Sequence, residues 1–191
     1  MSAWKSFRTA IMLLVVMIVL TGLIYPLVIV GVGEGIFRSK AGGSLVYRNG
    51  RPVGSSLIGQ KFAKKEYFHP RPSAVDYNAS TSGASNLGPT NQVLIDDVAK
   101  QASAYPQEKA DGSVPVDIVT SSGSGLDPDI SIAAAKIQAP RIAQARGVST
   151  GWIDALIDET TITRQLGFLG ENRLNVLSLN IELDRRFPLN K

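Results

Sequence analysis

TAIMLLVVMIVLTGLIYPLVIVGVG, residues 9–33, is a run of 25 residues without a formal charge. Most are Ile, Leu, Val or Met. As a helix rising 1.5 Å per residue it reaches about 37 Å, enough to cross about 30 Å of hydrocarbon once, with some tilt. Pro26 predicts a kink or a thinning of the last turns, because its ring removes a backbone donor. Gly31, Gly33 and Gly35 loosen the exit. A cleaved signal peptide is the competing reading, but its apolar core spans about 7–15 residues. This run is longer, and Gly31-Val32-Gly33-Glu34-Gly35 is a poor cleavage site. The expectation is a retained anchor.

Lys5 and Arg8 precede the run, with Trp4 placed for the lipid–water interface, while Glu34, Arg38 and Lys40 follow it. The positive-inside rule then puts the N-terminus in the cytoplasm and the rest outside. The expected organisation is a cytoplasmic tail over 1–8, a membrane helix over 9–35 and one extracytoplasmic domain over 36–191. The fold class is α+β, a single membrane helix followed by a mixed helix and strand domain. The setting is the plasma membrane.

Beyond the anchor, 18 basic residues face 16 acidic ones. That near balance lacks the basic excess of a nucleic-acid binder, and the Lys61, Lys64 and Lys65 knot reads as a solvated loop. The chain has no cysteine, which excludes disulfides, thiolate metal sites and a cysteine nucleophile. Its one histidine, His69, precedes a proline and lies in no metal-binding or triad spacing. Asp96-Asp97 and Asp158-Glu159 read as solvated helix faces. No catalytic residue and no metal site emerge, and an anchored hydrolase is disfavoured by the missing nucleophile–base pair.

Asn49-Gly50 between Leu45-Val46-Tyr47 and Val53 to Ile58 predicts a β-hairpin ended by Gly59, with Pro52 at its edge. The prolines of Tyr67-Phe68-His69-Pro70-Arg71-Pro72-Ser73-Ala74 predict an extended path. Residues 76–91 are almost all Asn, Ser, Thr, Gly and Ala, a solvated or packed loop. A helix is expected from Pro89 to Tyr105, with Leu94, Val98, Ala102 and Tyr105 as its apolar stripe. Pro106 stops it, and Gly112 turns the chain. Val114, Val116 and Ile118 alternate as a strand to Thr120. A helix from Pro128 to Arg146, capped by Asp127, is expected to bend near Lys136 because of Pro140 and to close at Gly147. Ser149 caps a helix to Glu159 with Trp152, Ile153, Leu156 and Ile157 buried. Leu174 to Leu183 alternates like a strand, yet Asn175 can cap a helix, which we prefer.

Ser121-Ser122-Gly123-Ser124-Gly125, between an expected strand and an expected helix, is the one loop that could cradle phosphate on backbone N–H groups. It lacks the Lys-Ser/Thr of a P-loop and the third glycine of a dinucleotide fingerprint. A plain tight loop is the simpler reading, with Asp127 as a cap.

The anchor, then Phe68-His69-Pro70-Arg71-Pro72-Ser73-Ala74, Tyr77-Asn78-Ala79 and Ser82-Gly83-Ala84-Ser85-Asn86-Leu87-Gly88-Pro89-Thr90-Asn91, together resemble the C subunit of the potassium-importing Kdp ATPase. The likeness continues through Pro115-Val116-Asp117, Val119 to Pro128, Ile130-Ser131, Gln138, Pro140-Arg141, Ala143, Ala145-Arg146, Asn175-Val176-Leu177 and Leu179-Asn180. It therefore spans nearly the whole chain. The family usually has His after Leu-Asp-Pro, where this chain has Asp129.

The resemblance implies an accessory subunit of a high-affinity ATP-driven K⁺ importer, not an enzyme by itself. The implied partners are a potassium-channel-like subunit, a P-type ATPase subunit and a small single-span subunit. The family is described as a catalytic chaperone that raises ATP affinity, so ATP is the implied nucleotide, although no cofactor is read from the residues themselves. An outside domain conflicts with direct ATP contact. Docking and assembly therefore rank first, with Arg71, Pro72, Ser73, Asn78, Ser82, Gly83, Ser85, Asn86, Gly88, Pro89, Thr90 and Asn91 as the surface. A nucleotide site at Ser121, Ser122, Gly123, Ser124, Gly125 and Asp127 is the alternative.

Overall fold

Pro26 shapes the first element. The computed structural model describes residues 3–105 and 113–189. In it, α1 (Ala3–Val19) runs into a π-helical turn (Leu20–Ile24) and on into α2 (Tyr25–Ile36), where Pro26 occupies the first turn. The Tyr25 N–H reaches back five residues to the Leu20 carbonyl. Widening the turn just before a proline relieves the clash that its ring makes one turn back. Thr21 turns its hydroxyl to the Met17 carbonyl at 2.7 Å. The whole 34-residue helix, Ala3–Ile36, is long and apolar enough to cross a membrane, and it begins earlier than the uncharged run alone.

Chain contacts divide the molecule into Met1–Leu45 and Val46–Lys191. The first unit ends in a short α3 (Arg38–Ala41). The hairpin that follows is the expected one, β1 (Leu45–Arg48) and β2 (Arg51–Ser55), though β2 takes in Pro52 and stops before Ile58. Its turn has Asn49 at φ 52° and Gly50 at φ 74°, the left-handed pair that an Asn-Gly hairpin turn adopts.

The core of the second unit is helical. α4 (Gln92–Ser103) begins later than Pro89, because Asn91 is its cap and accepts from the Val93 N–H at 2.9 Å. The expected strand over 114–120 is instead a single turn, α5 (Val116–Val119), which buries Ile118 and Val119. The expected long helix from Pro128 is three elements: β3 (Asp129–Ile130), α6 (Ile132–Lys136) and α7 (Ala139–Arg146). Ser131, not Asp127, caps α6 by accepting from the Ala134 N–H. Pro140 sits in the first turn of α7, where its missing N–H costs nothing.

α8 (Thr150–Thr160) buries Ile153, Leu156 and Ile157. Trp152, expected inside, is 65% exposed. Ser149 holds the cap position without a side-chain bond. β4 (Leu174–Asn175) pairs antiparallel with β3, Asp129 opposite Asn175 and Ile130 opposite Leu174. Asn175 then caps α9 (Val176–Arg186), which confirms the helix. Leu174, Leu179 and Leu183 join Ile142, Ile153, Leu156, Ile157 and Phe68 in one buried cluster. Each such side chain contributes about 1.5–3 kcal/mol. The expected break at Pro106 and turn at Gly112 lie outside the described residues.

Candidate docking surface

The segment with two prolines cannot join a sheet, so its backbone groups need other partners. Two buried amides supply them. Asn180 accepts from the Phe68 N–H at 2.9 Å and donates to the Phe68 carbonyl at 3.0 Å. Gln138 does the same for His69, accepting at 2.8 Å and donating at 3.2 Å. Each amide thus imitates a neighbouring strand and lets Phe68 sink to zero exposure. Two arginines fix the preceding residues. Arg141 donates to the carbonyls of Lys65 and Tyr67. Arg146, its side chain fully buried, donates to the carbonyls of Glu66 and Phe187 and to Asp184 at 2.8 Å, and lies over the Tyr67 ring. The His69 Nε2 meets the Lys64 carbonyl at 3.0 Å, which assigns the proton of the neutral ring to Nε2. Burial, then the nearby Arg141 charge, lower its pKa, against the bond to Lys64.

Held this way, the chain delivers Arg71, Ser73 and the loop behind them to the Gly/Ser loop. The Ser73 hydroxyl donates to the Gly125 carbonyl at 2.6 Å and accepts from the N–H groups of Val75 and Tyr77. The Tyr77 hydroxyl donates to the Arg71 carbonyl at 2.6 Å, and burial pushes its pKa up to about 12. The Gly83 N–H donates to the Ser124 carbonyl at 2.9 Å, and Ser82 adds a longer bond to the same oxygen. Gly125 is at φ 67°, and a Cβ there would come within 2.7 Å of both the Gly83 carbonyl and the Val75 side chain. Gly59 closes the other side, donating to the Leu126 carbonyl at 2.7 Å. Arg71 pairs with Asp127 at 2.9 Å, both partly exposed, a pair worth about 1 kcal/mol or less.

These contacts bring Arg71, Ser73, Ser82, Gly83, Ser124, Gly125 and Asp127 into one assembly. Pro72, Ser85 and Ser121 border a neighbouring hollow of about 190 Å³ with Leu87, Leu94 and Val98. Asn78 organises its own turn by accepting from Ser80, Asn86 is left-handed at φ 54°, and Asn91 caps α4. Gly88, Pro89 and Thr90 are exposed, as is Gly123, whereas Ser122 is buried. Asp127 also accepts from the Asp129 N–H, and Asp129 on β3 pairs at 2.8 Å with Arg173, which immediately precedes β4. The residue that departs from the family pattern therefore has a structural partner. Arg71, Asp117, Asp127, Asp129, Glu171 and Arg173 border an open groove of about 500 Å³.

The Gly/Ser loop is flanked by a helical turn before it and by a strand after it, the reverse of the strand–loop–helix order that aims N–H groups at a phosphate. The Gly125 and Leu126 N–H groups bond within the loop, to the Ser122 carbonyl and the Ser124 hydroxyl. Sequence reasoning did not assign the clamps Gln138, Asn180, Arg141 and Arg146 to this surface. Their bonds to residues 65–69 span 69 to 112 positions of the chain, and no local pattern signals them.

The family model described as KdpC, K⁺-transporting ATPase, c chain, matches residues 7–185. The Potassium-transporting ATPase KdpC subunit of Mycobacterium tuberculosis strain H37Rv is 51% identical over 186 residues, covering 95% of this chain and 98% of the relative. The KdpC subunit of Rhodospirillum rubrum is 50% identical, covering 97% and 98%. That of Koribacter versatilis is 46% identical, covering 97% of each.

Proposed function

This chain belongs to the KdpC family of K⁺-transporting ATPase subunits, and from that premise we propose that it works as a non-catalytic accessory subunit in assembly of the transporter. The observation that carries the reading is the reach of the match, which takes in the anchor and the folded domain together. The anchor crosses the plasma membrane once with the N-terminus inside. The folded part then lies outside, and the loop surface from Arg71 to Asn91 docks on the channel-like subunit at its outer entrance. Support for docking comes from the way that surface is held: ordered loops fastened by side-chain bonds to a rigid core are built for recognition. The remaining partners are the P-type ATPase subunit and the small single-span subunit.

The family's description as a catalytic chaperone that raises ATP affinity is then read as an effect through assembly. Direct nucleotide contact at residues 121–125 is disfavoured by the order of the flanking elements and by the use of the loop's own groups in packing.

Thr90 tests the docking surface, because it is exposed and carries no structural bond among those described. Thr90→Arg is expected to leave the thermal unfolding of the purified chain within about 1 °C, as surface changes do. Its co-purification with the channel-like subunit should fall about tenfold or more, as for a charge placed inside an interface. Unchanged recovery of the complex together with wild-type growth on limiting K⁺ would refute docking through this loop.

A further inference from the structure

A second feature of the domain is unused by that surface. After α8 the chain makes a narrow excursion, closed at its base by the bridge between Ile162 and Arg173 and near its tip by paired bonds between Gln165 and Leu169. The tip carries Leu166 at 82% exposure, Phe168 at 71% and Leu169 at 48%. Three adjoining large apolar side chains in solvent are unusual for a small domain and mark a contact site.

The backbone says more than the exposure. Leu166 is left-handed at φ 52°, followed by Gly167 at φ 81°. At residues 49 and 50 the same chain again sets two consecutive residues at positive φ, and there it uses Asn-Gly, the pair that tolerates this geometry best. A leucine in the first position is strained, and its side chain gains nothing inside the molecule because it is exposed. Strain held at a surface point indicates that the side chain is kept for what it meets outside.

We propose that Leu166, Phe168 and Leu169 form a rigid knob that seats in an apolar pocket on another chain of the transporter. A protein pocket fits better than a lipid surface. The tip is fixed by four backbone hydrogen bonds among Arg164, Gln165, Gly167, Phe168 and Leu169, and a preset shape matters to a shaped pocket, not to lipid. No charge lies between Arg164 and Glu171, and those two flanks have opposite signs, whereas a lipid-seeking tip carries a basic rim. The inference rests on the accessory-subunit reading and adds a contact that the Arg71–Asn91 loops do not supply.

The test uses the full-length chain in the assembled complex in native membranes, with a benzophenone amino acid replacing Phe168. Illumination should yield a covalent adduct between this chain and one other transporter subunit. An adduct with phospholipid alone, an adduct with a second copy of this chain, or no adduct while the complex still co-purifies would overturn the proposal and leave the accessory role intact. A chain that co-purifies with no ATPase subunit would overturn both. Leu166→Gly separates docking from folding. It removes the strain, so the melting temperature should hold or rise, while affinity for the rest of the complex falls about tenfold or more. Unchanged affinity would overturn the knob.

Discussion

Arg146→Leu is expected to destabilise the folded part by about 3–5 kcal/mol, the range for breaking a buried charge network. The substitution leaves the carbonyls of Glu66 and Phe187 without their guanidinium donors and strips Asp184 of its buried partner. Chemical unfolding of the full-length chain in detergent should show the midpoint falling accordingly. Arg185→Leu, on α9 beside Asp184 but paired with Glu182 in solvent, should leave the midpoint almost unmoved. Equal effects would mean that the network around the two-proline segment does not hold the fold.

The same variant has a pH signature. Burial alone would raise the Asp184 pKa, but hydrogen bonds from Arg146, Arg48 and Tyr67 outweigh it and hold the carboxyl below its ordinary value. A group lowered on folding adds stability that is complete above its unfolded pKa, about 4, and is lost as pH falls through the folded one. Arg146→Leu removes part of that lowering. The gap between variant and parent should therefore narrow as pH drops below about 4.

Gly125→Ala should cost about 2–4 kcal/mol, combining a left-handed penalty of about 1 with overpacking of about 1–3. The new methyl meets the Gly83 carbonyl and the Val75 side chain, each at 2.7 Å. Its matched control is Gly123→Ala in the same loop, where a Cβ meets nothing within 4 Å and φ is not left-handed. That change should stay within about 0.5 kcal/mol. The loss at Gly125 should also unseat the loop at Ser82 and Gly83 and lower recovery of the complex. If both alanines behave alike, the interlock of the two loops is not what shapes this surface.

Several elements were readable because their signals are local. Asn49-Gly50 states a hairpin turn, Asn175 states a helix start, and the apolar positions 94, 98 and 102 state one face of α4. The misreadings share a cause. Over Val116–Val119 a single helical turn and a short strand give nearly the same apolar pattern, and burial of Ile118 and Val119 decides it. Asp127-Pro128 and Ser131 are both good caps, and pairing of β3 with β4 selects the later one. Trp152 adjoins the buried residues of α8 in sequence, but the packed face is set by Ile153, Leu156 and Ile157. The candidate surface was legible as a motif and not as a geometry. Its residues are neighbours in the sequence, while what holds them, Asn180, Gln138 and Gly125, arrives from distant segments.

The central claim, an accessory subunit whose folded part works outside the membrane, is tested most directly by its sidedness. The chain has no cysteine, and Ser80 is exposed in the motif loop. Ser80→Cys would be probed in intact cells with a membrane-impermeant thiol reagent, against a known surface protein and against lysed cells. Labelling of intact cells is the predicted result and places the docking surface where the transporter takes up K⁺. Labelling only after lysis would contradict it, put the Gly/Ser loop on the side of cytoplasmic ATP, and make nucleotide contact the leading mechanism.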